Sequence, residues 1–324
     1  MTADLSGPPP RWPRSARDVF AEAMDAAART VTLWQQPAPQ GDEVLREELG
    51  CLLGTDPERL TITAGVRATA LTYARTKRRI ALERPTFPGV LHTLRAAGAD
   101  VSLHSWDELL RRPPASTLWL TSPFRNPDGR TLTVGERDTL TRLTTSGHRV
   151  IVNEAYRWFG AEPPVPGADR LGTLHKLTGH GVRLGWVDSA DFFGRATAEM
   201  LGTTPSPVWQ RAWGLFLRRG GLDGLIDATV APTLTAATRF HERLGLGTAP
   251  GPHVLIRPRP NVDEETALRH LAEHSIKLSP GADFLADGPS LRASFTGASP
   301  GAGTRLADLL KNSSLFAPDL VRVR

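Results

Sequence analysis

The stretch TLHKLTGHGVRLGWV, residues 173–187, decides how the chain is read. Its Lys176 is one of four lysines (Lys77, Lys176, Lys277, Lys311) among 39 basic residues, so a chain that otherwise uses arginine keeps an amine here. Arginine stays protonated and forms no imine, whereas a desolvated lysine can lose its proton and attack an aldehyde. Arg183 follows seven residues later and leads into an apolar run that reads as a strand. Taken alone, Lys176 reads equally well as a surface lysine in a loop; the segments around it separate the two readings.

Working outward, short apolar runs alternate with helical periodicity. LTIT (60–63), RIALE (79–83), DVSLH (100–104), STLWLTS (116–122), RVIVNEA (149–155) and VRLGWVD (182–188) read as strands. RATALTYAR, GVLHTLRAAG and VGERDTLTRLTTSG read as the helices between them. This alternation predicts an α/β fold, with a mostly parallel central sheet covered by helices on both faces. Buried parallel strands give continuous apolar runs of this kind. Residues 17–30 have helical spacing, and DEVLREELGCLLG (42–54) predicts a helix with Leu45, Leu49, Leu52 and Leu53 on one side, stopped at Gly54. Beyond residue 205 a long helical region precedes HVLIRPRP, a helix at 263–274, IKLSP and SLRASFTG, which together predict a smaller α+β lobe. The expected division is an N-terminal arm and helix joining the small lobe (1–40), a large domain (41–205), and a linking helix with a small C-terminal domain (206–324). Residues 1–16, rich in Pro and Arg, are expected to form a mobile or draped arm.

Composition narrows the function classes. The 324 residues are 40% hydrophobic and contain no apolar run long enough to span a membrane. The first twenty residues lack the apolar centre of a secretory signal, so a cytoplasmic protein is expected. Cys51 is the sole cysteine, which excludes an internal disulfide and a cysteine metal cluster, and no metal is expected. The net charge of +5 raises the question of nucleic acid, but the arginines are scattered rather than gathered, and no nucleic-acid role is expected. An anionic cofactor and a carboxylate substrate account for buried cations more economically.

Five further segments carry chemistry. LTITAGVRATAL (60–71) is a strand, a turn at Gly65 and a helix start, an arrangement whose backbone N–H groups bind phosphate, although a turn glycine alone would read the same. ALERPTFPGV (81–90) presents Phe87 after a proline turn, and TSPFRNPDG (121–129) places Asn126 in an Asn-Pro turn after an apolar strand. RVIVNEAYRWF (149–159) ends a strand at Asn153, three residues before Tyr156, one of only two tyrosines. KLSPGADFL (277–285) and SLRASFTG (290–297) bring Arg292 onto a late strand.

Six segments in this order, over residues 41–297, resemble the fold-type-I pyridoxal 5′-phosphate (PLP) enzymes of the aminotransferase class I/II family. The short length is similar to the branch of histidinol-phosphate aminotransferase and threonine-phosphate decarboxylase. The resemblance implies that Lys176 forms the Schiff base with PLP and then shuttles the proton. It implies that the amides of Val66 and Arg67, with Gly65 letting the backbone approach closely, hold the cofactor phosphate together with Thr173 and Arg183. Phe87 would stack on the pyridine, Asn126 and Tyr156 would bond the ring oxygen, and Asn126 and Arg292 would meet the substrate carboxylate. It further implies a homodimer with the active site at the subunit boundary and an amino acid or amine as substrate.

The chain also departs from the family. Where the family has an aspartate that keeps the pyridine nitrogen protonated, this chain has Asn153. A neutral amide removes a charge-assisted hydrogen bond of about 1.5–3 kcal/mol, which implies a penalty of about one to two powers of ten on carbanion formation. The resemblance therefore implies an aminotransferase, with a place in specialised biosynthesis among the options. Racemase, lyase, decarboxylase or replacement chemistry and a non-catalytic binding protein stand as alternatives. His175 and His180 stand where other residues are usual, readable as loop or proton-transfer groups. The inter-subunit tyrosine expected before Gly41 is missing, with Trp34 the nearest aromatic.

Overall fold

The computed structural model describes residues 2–30, 38–190, 204–246 and 251–321, the side chains of 318–320 excepted. Trp34 lies outside the described residues. The strands are β1 (Ala3–Asp4), β2 (Leu60–Thr63), β3 (Arg79–Glu83), β4 (Asp100–His104), β5 (Thr117–Thr121), β6 (Arg149–Asn153), β7 (Asp169–Thr173), β8 (Gly185–Asp188), β9 (His253–Pro258), β10 (Ile276–Lys277), β11 (Ser279–Pro280), β12 (Leu291–Ser294) and β13 (Phe316–Val321). The helices are α1 (Arg14–Thr30), α2 (Glu43–Leu53), α3 (Val66–Thr76), α4 (Pro88–Ala96), α5 (Trp106–Arg111), α6 (Val134–Thr145), α7 (His175–Thr178), α8 (Pro207–Arg218), α9 (Gly221–Leu244), α10 (Glu264–Glu273) and α11 (Ala302–Asn312).

A seven-stranded sheet runs β2-β8-β7-β6-β5-β3-β4. Its pairs from β7 to β4 are parallel, and β8 lies antiparallel to both β2 and β7. Successive side chains of a strand point to opposite faces. Leu118, Leu120, Val150 and Val152 accordingly enter one apolar cluster with Trp106 and Leu140, while Trp119 and Ile151 enter the other. Both faces are covered, as the α/β reading of the sequence requires.

β7 reads poorly from sequence because it is polar. Its Asp169 accepts from Tyr73 Oη at 2.7 Å and Ser189 Oγ at 2.6 Å, and it pairs with Arg149. Its Arg170 reaches Glu154 at 2.8 Å and Asp188 at 3.1 Å. Pairing of this kind offsets the cost of burying charge, so a central strand can carry charges that hydropathy assigns to the surface. α2 begins at an Asp42 cap and ends at Gly54 in the left-handed conformation, but its Leu52 is 42% exposed and lies off the buried face. The long helical region breaks at Gly220 into α8 and α9.

The smaller lobe is a four-stranded sheet, β11-β12-β9-β13, packed with α10, α11 and part of α9. The N-terminal segment is draped rather than loose. β1 pairs with β10, Ser294 N donates to Leu5 O at 2.8 Å, and Pro8–Pro10 then pass along the wall of the main cavity. The sequence places the helix after this arm with the small lobe; α1 packs instead on α8, where Ala16 and Ala23 join Trp213 and Phe216 in the large core. Among the described residues no helix is long and apolar enough to cross a membrane.

Gly185 shows how closely the sheet approaches the first βα turn. A Cβ there would stand 2.5 Å from Gly172 O and 2.7 Å from Gly65 Cα, both backbone atoms. Gly185→Ala is therefore expected to cost about 1–3 kcal/mol through overpacking. A denaturation midpoint equal to that of the parent chain would contradict this packing.

Candidate active site

The carboxyl ends of the parallel strands are where open α/β sheets bind ligands. Here the ends of β5 and β6, the segment after β7, the β2–α3 turn and the edge of β12 enclose a cavity of about 360 Å³. Gly65 opens α3 at φ 97°, without a side-chain cap, so the first amides of the helix (Val66, Arg67) lack intrahelical acceptors and border the cavity. Lys176, on the single turn of α7, lies with its Nζ 4.8 Å from the centre of the Tyr156 ring. Asn126 Nδ2 donates to Tyr156 Oη at 3.5 Å, and Asn126 Oδ1 is buried without a partner. Phe87 caps α4 and is 45% exposed, a flat apolar face on the cavity wall.

Asn153 is fixed by its neighbours. Its Oδ1 accepts from the Ala155 N–H at 3.2 Å, which sets the amide orientation because a backbone N–H can only donate. Nδ2 then donates one hydrogen to Thr121 Oγ1 at 3.3 Å and keeps another. Thr121 is held in turn by Glu83, whose Oε2 accepts from the Thr121 N–H at 2.9 Å and from Trp106 Nε1 at 2.6 Å. Burial pushes the Glu83 carboxyl up to about 7, opposed by the charge of Arg125.

Electrostatics distinguish this cavity. Arg67, Lys176, Arg183 and Arg292 all line it, and no aspartate or glutamate among the described residues does. Arg292 is 8% exposed; its Nη2 donates to Ser6 O at 3.1 Å, its plane lies over Phe284 at 4.6 Å, and its Nε has no partner. Burial lowers the Arg292 guanidinium from its ordinary value. Tyr156 and Asp283 oppose that effect, and a ligand carboxylate in direct contact would relieve more of the cost of burial.

Every site residue expected from the sequence lines this cavity except Thr173. That hydroxyl is fully buried and committed: it donates to Leu184 O at 2.8 Å and faces His175 Nδ1 at 2.8 Å. His175 and His180 occupy the wall instead, their ring centres 5.0 Å apart.

The sequence model of the family "aminotransferase class I and II" matches residues 5–182. The chain belongs to that family. It is a PLP-dependent enzyme of aminotransferase type, and PLP is its cofactor. Among solved structures, α-aminoadipate aminotransferase from Thermus thermophilus, complexed with N-(5′-phosphopyridoxyl)-L-leucine, superposes with a TM-score of 0.78 at 20% identity, covering 96% of this chain and 92% of that one. Aspartate aminotransferase from Thermus thermophilus with maleate gives 0.76 at 20% identity over 95% and 92%. Kynurenine aminotransferase from Pyrococcus horikoshii gives 0.77 at 19% identity over 96% and 91%. At these identities the likeness is one of fold. No curated protein matches the chain in sequence. The residues present fit PLP on their own chemistry: helix-end amides and two arginines suit a phosphate, and an amine stands beside a tyrosine and an unsatisfied buried amide oxygen.

His253 had no signal in the sequence. It begins β9 inside an apolar run, and its ring meets Tyr156 edge-on at 4.4 Å. Both its nitrogens are buried without partners, and burial, then Arg292 and Lys176, hold it well below the usual histidine range. Burial, then Lys176 and the nearby His180, Arg67 and Arg183, push His175 down to about 2. Such groups bind a proton when unfolded but not when folded. The stability they leave intact above pH 6.5 is thus lost as pH falls below it, by roughly 1.4 kcal/mol per pH unit for each. His253→Phe, which keeps the ring contact, is expected to flatten this acid slope of the cofactor-free protein. An unchanged slope between about pH 6.5 and 4 would contradict a neutral buried His253.

Proposed function

We propose that this enzyme transaminates an amino acid or amine, with Lys176 as the residue that joins the cofactor and moves the substrate proton. The cavity of cations without a facing carboxylate around that lysine carries the reading. PLP supplies an aldehyde that condenses with amines and a ring that draws electrons from the substrate carbon. The chain does the rest. The Val66 and Arg67 amides and Arg183 take the phosphate, and Arg183 brings the planar fork suited to it. Phe87 excludes water from one face. Tyr156 and Asn126 meet the ring oxygen, while Lys176 Nζ, against the Tyr156 ring, is placed to carry a proton. Arg292 and Asn126 take the substrate carboxylate, a direct partner for a guanidinium that burial disfavours and that Tyr156 and Asp283 support.

Asn153 favours a second reading. With Oδ1 spent on Ala155 and one Nδ2 hydrogen left over, it suits an unprotonated ring nitrogen better than a protonated one. Racemisation, elimination, replacement or decarboxylation would tolerate such a ring. We further propose a homodimer and the division of the chain near residues 40 and 205, with α1 moved to the large lobe. The likeness in length to the histidinol-phosphate branch belongs to this proposal.

Purified protein loaded with PLP and freed of excess cofactor is expected to keep an imine absorption band that Lys176→Ala lacks; native protein with no imine band would contradict the assignment. Asn153→Asp is expected to raise the transamination half-reaction by about tenfold to a hundredfold. An unchanged or lower rate, with non-transaminated products by mass spectrometry across an amino-acid panel, would favour the second reading. Arg292→Ala is expected to raise KM for a carboxylate substrate by about ten- to a hundredfold while PLP still binds. Equal KM would remove Arg292 from the site.

A further inference from the structure

The two histidines beside Lys176 are not explained by the assignments above, and Thr173 does not do what the sequence asks of it. The hydrogen bonds resolve both. Thr173 has one hydroxyl proton, and it goes to Leu184 O at 2.8 Å. Against His175 Nδ1, also at 2.8 Å, Thr173 Oγ1 can therefore only accept, as it does from the His175 backbone N–H at 3.2 Å. The proton of the neutral His175 ring thus sits on Nδ1 and the lone pair on Nε2. Thr173 orients this ring from behind the wall, and His175 and His180 face the cavity in its place.

The groups facing the pair are all positive or neutral. Lys176 and Arg183 come from the same segment, Arg67 from α3, Arg292 from β12 and the Tyr156 hydroxyl from beyond β6, with no carboxylate on the lining among the described residues. Burial first, then Lys176 and Arg67 at both rings, with His180 and Arg183 added at His175, disfavour an imidazolium. A phosphate dianion offsets much of that field. It also sets its oxygens, which are acceptors, against the Nε2 lone pair, an arrangement that becomes a charge-assisted hydrogen bond only when the ring gains a proton. Ring centres 5.0 Å apart leave room for one added charge, since two would repel.

Resting on the reading of this cavity as the phosphate site, we propose that His175 takes the phosphate-binding place expected of Thr173, and that the His175–His180 pair takes up one proton from water when a phosphate monoester enters. Thr173 is then a positioning residue that fixes the tautomer.

The test uses pyridoxine 5′-phosphate, which carries the phosphate but no aldehyde, so that Lys176 performs no chemistry. At about pH 8 the ester is already a dianion, its second ionisation lying near 6. Calorimetry in two buffers of different ionisation enthalpy is expected to show net proton uptake that grows as pH falls from about 8 toward 7. Imidazole ¹⁵N signals of the native protein are expected to pass from the neutral Nδ1–H pattern to an imidazolium within this pair. His175→Gln is expected to abolish the uptake and weaken binding by about ten- to a hundredfold. Binding with no proton uptake, or uptake with unchanged imidazole signals, would overturn the inference while leaving the phosphate site standing. Absence of binding by the native protein, or binding indifferent to Arg183→Ala, would instead bring down the reading on which it rests. The native spectra decide the matter even if the variants fold poorly.

Discussion

Three arginines and a lysine line one cavity, the lysine against the Tyr156 ring, and among the described residues no carboxylate lines the space between them. Elsewhere the chain pairs its buried charges with care: Arg170 holds both Glu154 and Asp188, and Arg125 holds Asp128. Of the four cavity cations, only Arg292 is buried, with Lys176 half-buried and Arg67 and Arg183 exposed, so an anion entering the cavity would meet positive charge on several sides. A phosphate and a carboxylate would each do so, and the intervening wall of Phe87, Asn126, Asn153 and Tyr156 suits a planar heteroaromatic ring.

The scaffold holds the walls of the cavity in register. β3 runs directly into the segment that carries Phe87, and this segment is tied to the small lobe: Thr86 N donates to Phe284 O and Arg84 Nε to Leu285 O, each at 2.9 Å. Phe284 in turn lies under the Arg292 guanidinium. The aromatic wall on one lobe and the cation on the other therefore share one set of contacts. The N-terminal arm closes a third side through Ser6 and the prolines that follow. The absence of side chains at Gly65, Gly172 and Gly185 lets β8 press against the first βα turn, which brings the free amides of α3 close to the Lys176 segment.

Much of this was legible in the sequence because apolar periodicity and turn chemistry are local properties. LTIT, RIALE and DVSLH became β2, β3 and β4 at the bounds read from the sequence, and Gly54 stops its helix in the left-handed conformation that glycine favours. What was not legible depends on partners distant in sequence. DRLGT is a central strand whose charges are satisfied by Tyr73, Arg149, Glu154, Asp188 and Ser189, none of them predictable from its own letters. The Thr173 position has the right residue type for a phosphate ligand, yet the Leu184 carbonyl takes its only proton. His253 is an isolated histidine in an apolar strand, and only the fold brings it against Tyr156. Trp106–Arg111 is too short to show a period, although its Trp106 anchors Glu83.

The most direct measurement is peptide mapping by mass spectrometry after the PLP-loaded protein is reduced with borohydride, which fixes the cofactor to whichever amine holds it. The account predicts the phosphopyridoxyl mass on the peptide containing Lys176 alone. That mass on Lys77, Lys277 or Lys311, or on no lysine at all, would contradict it.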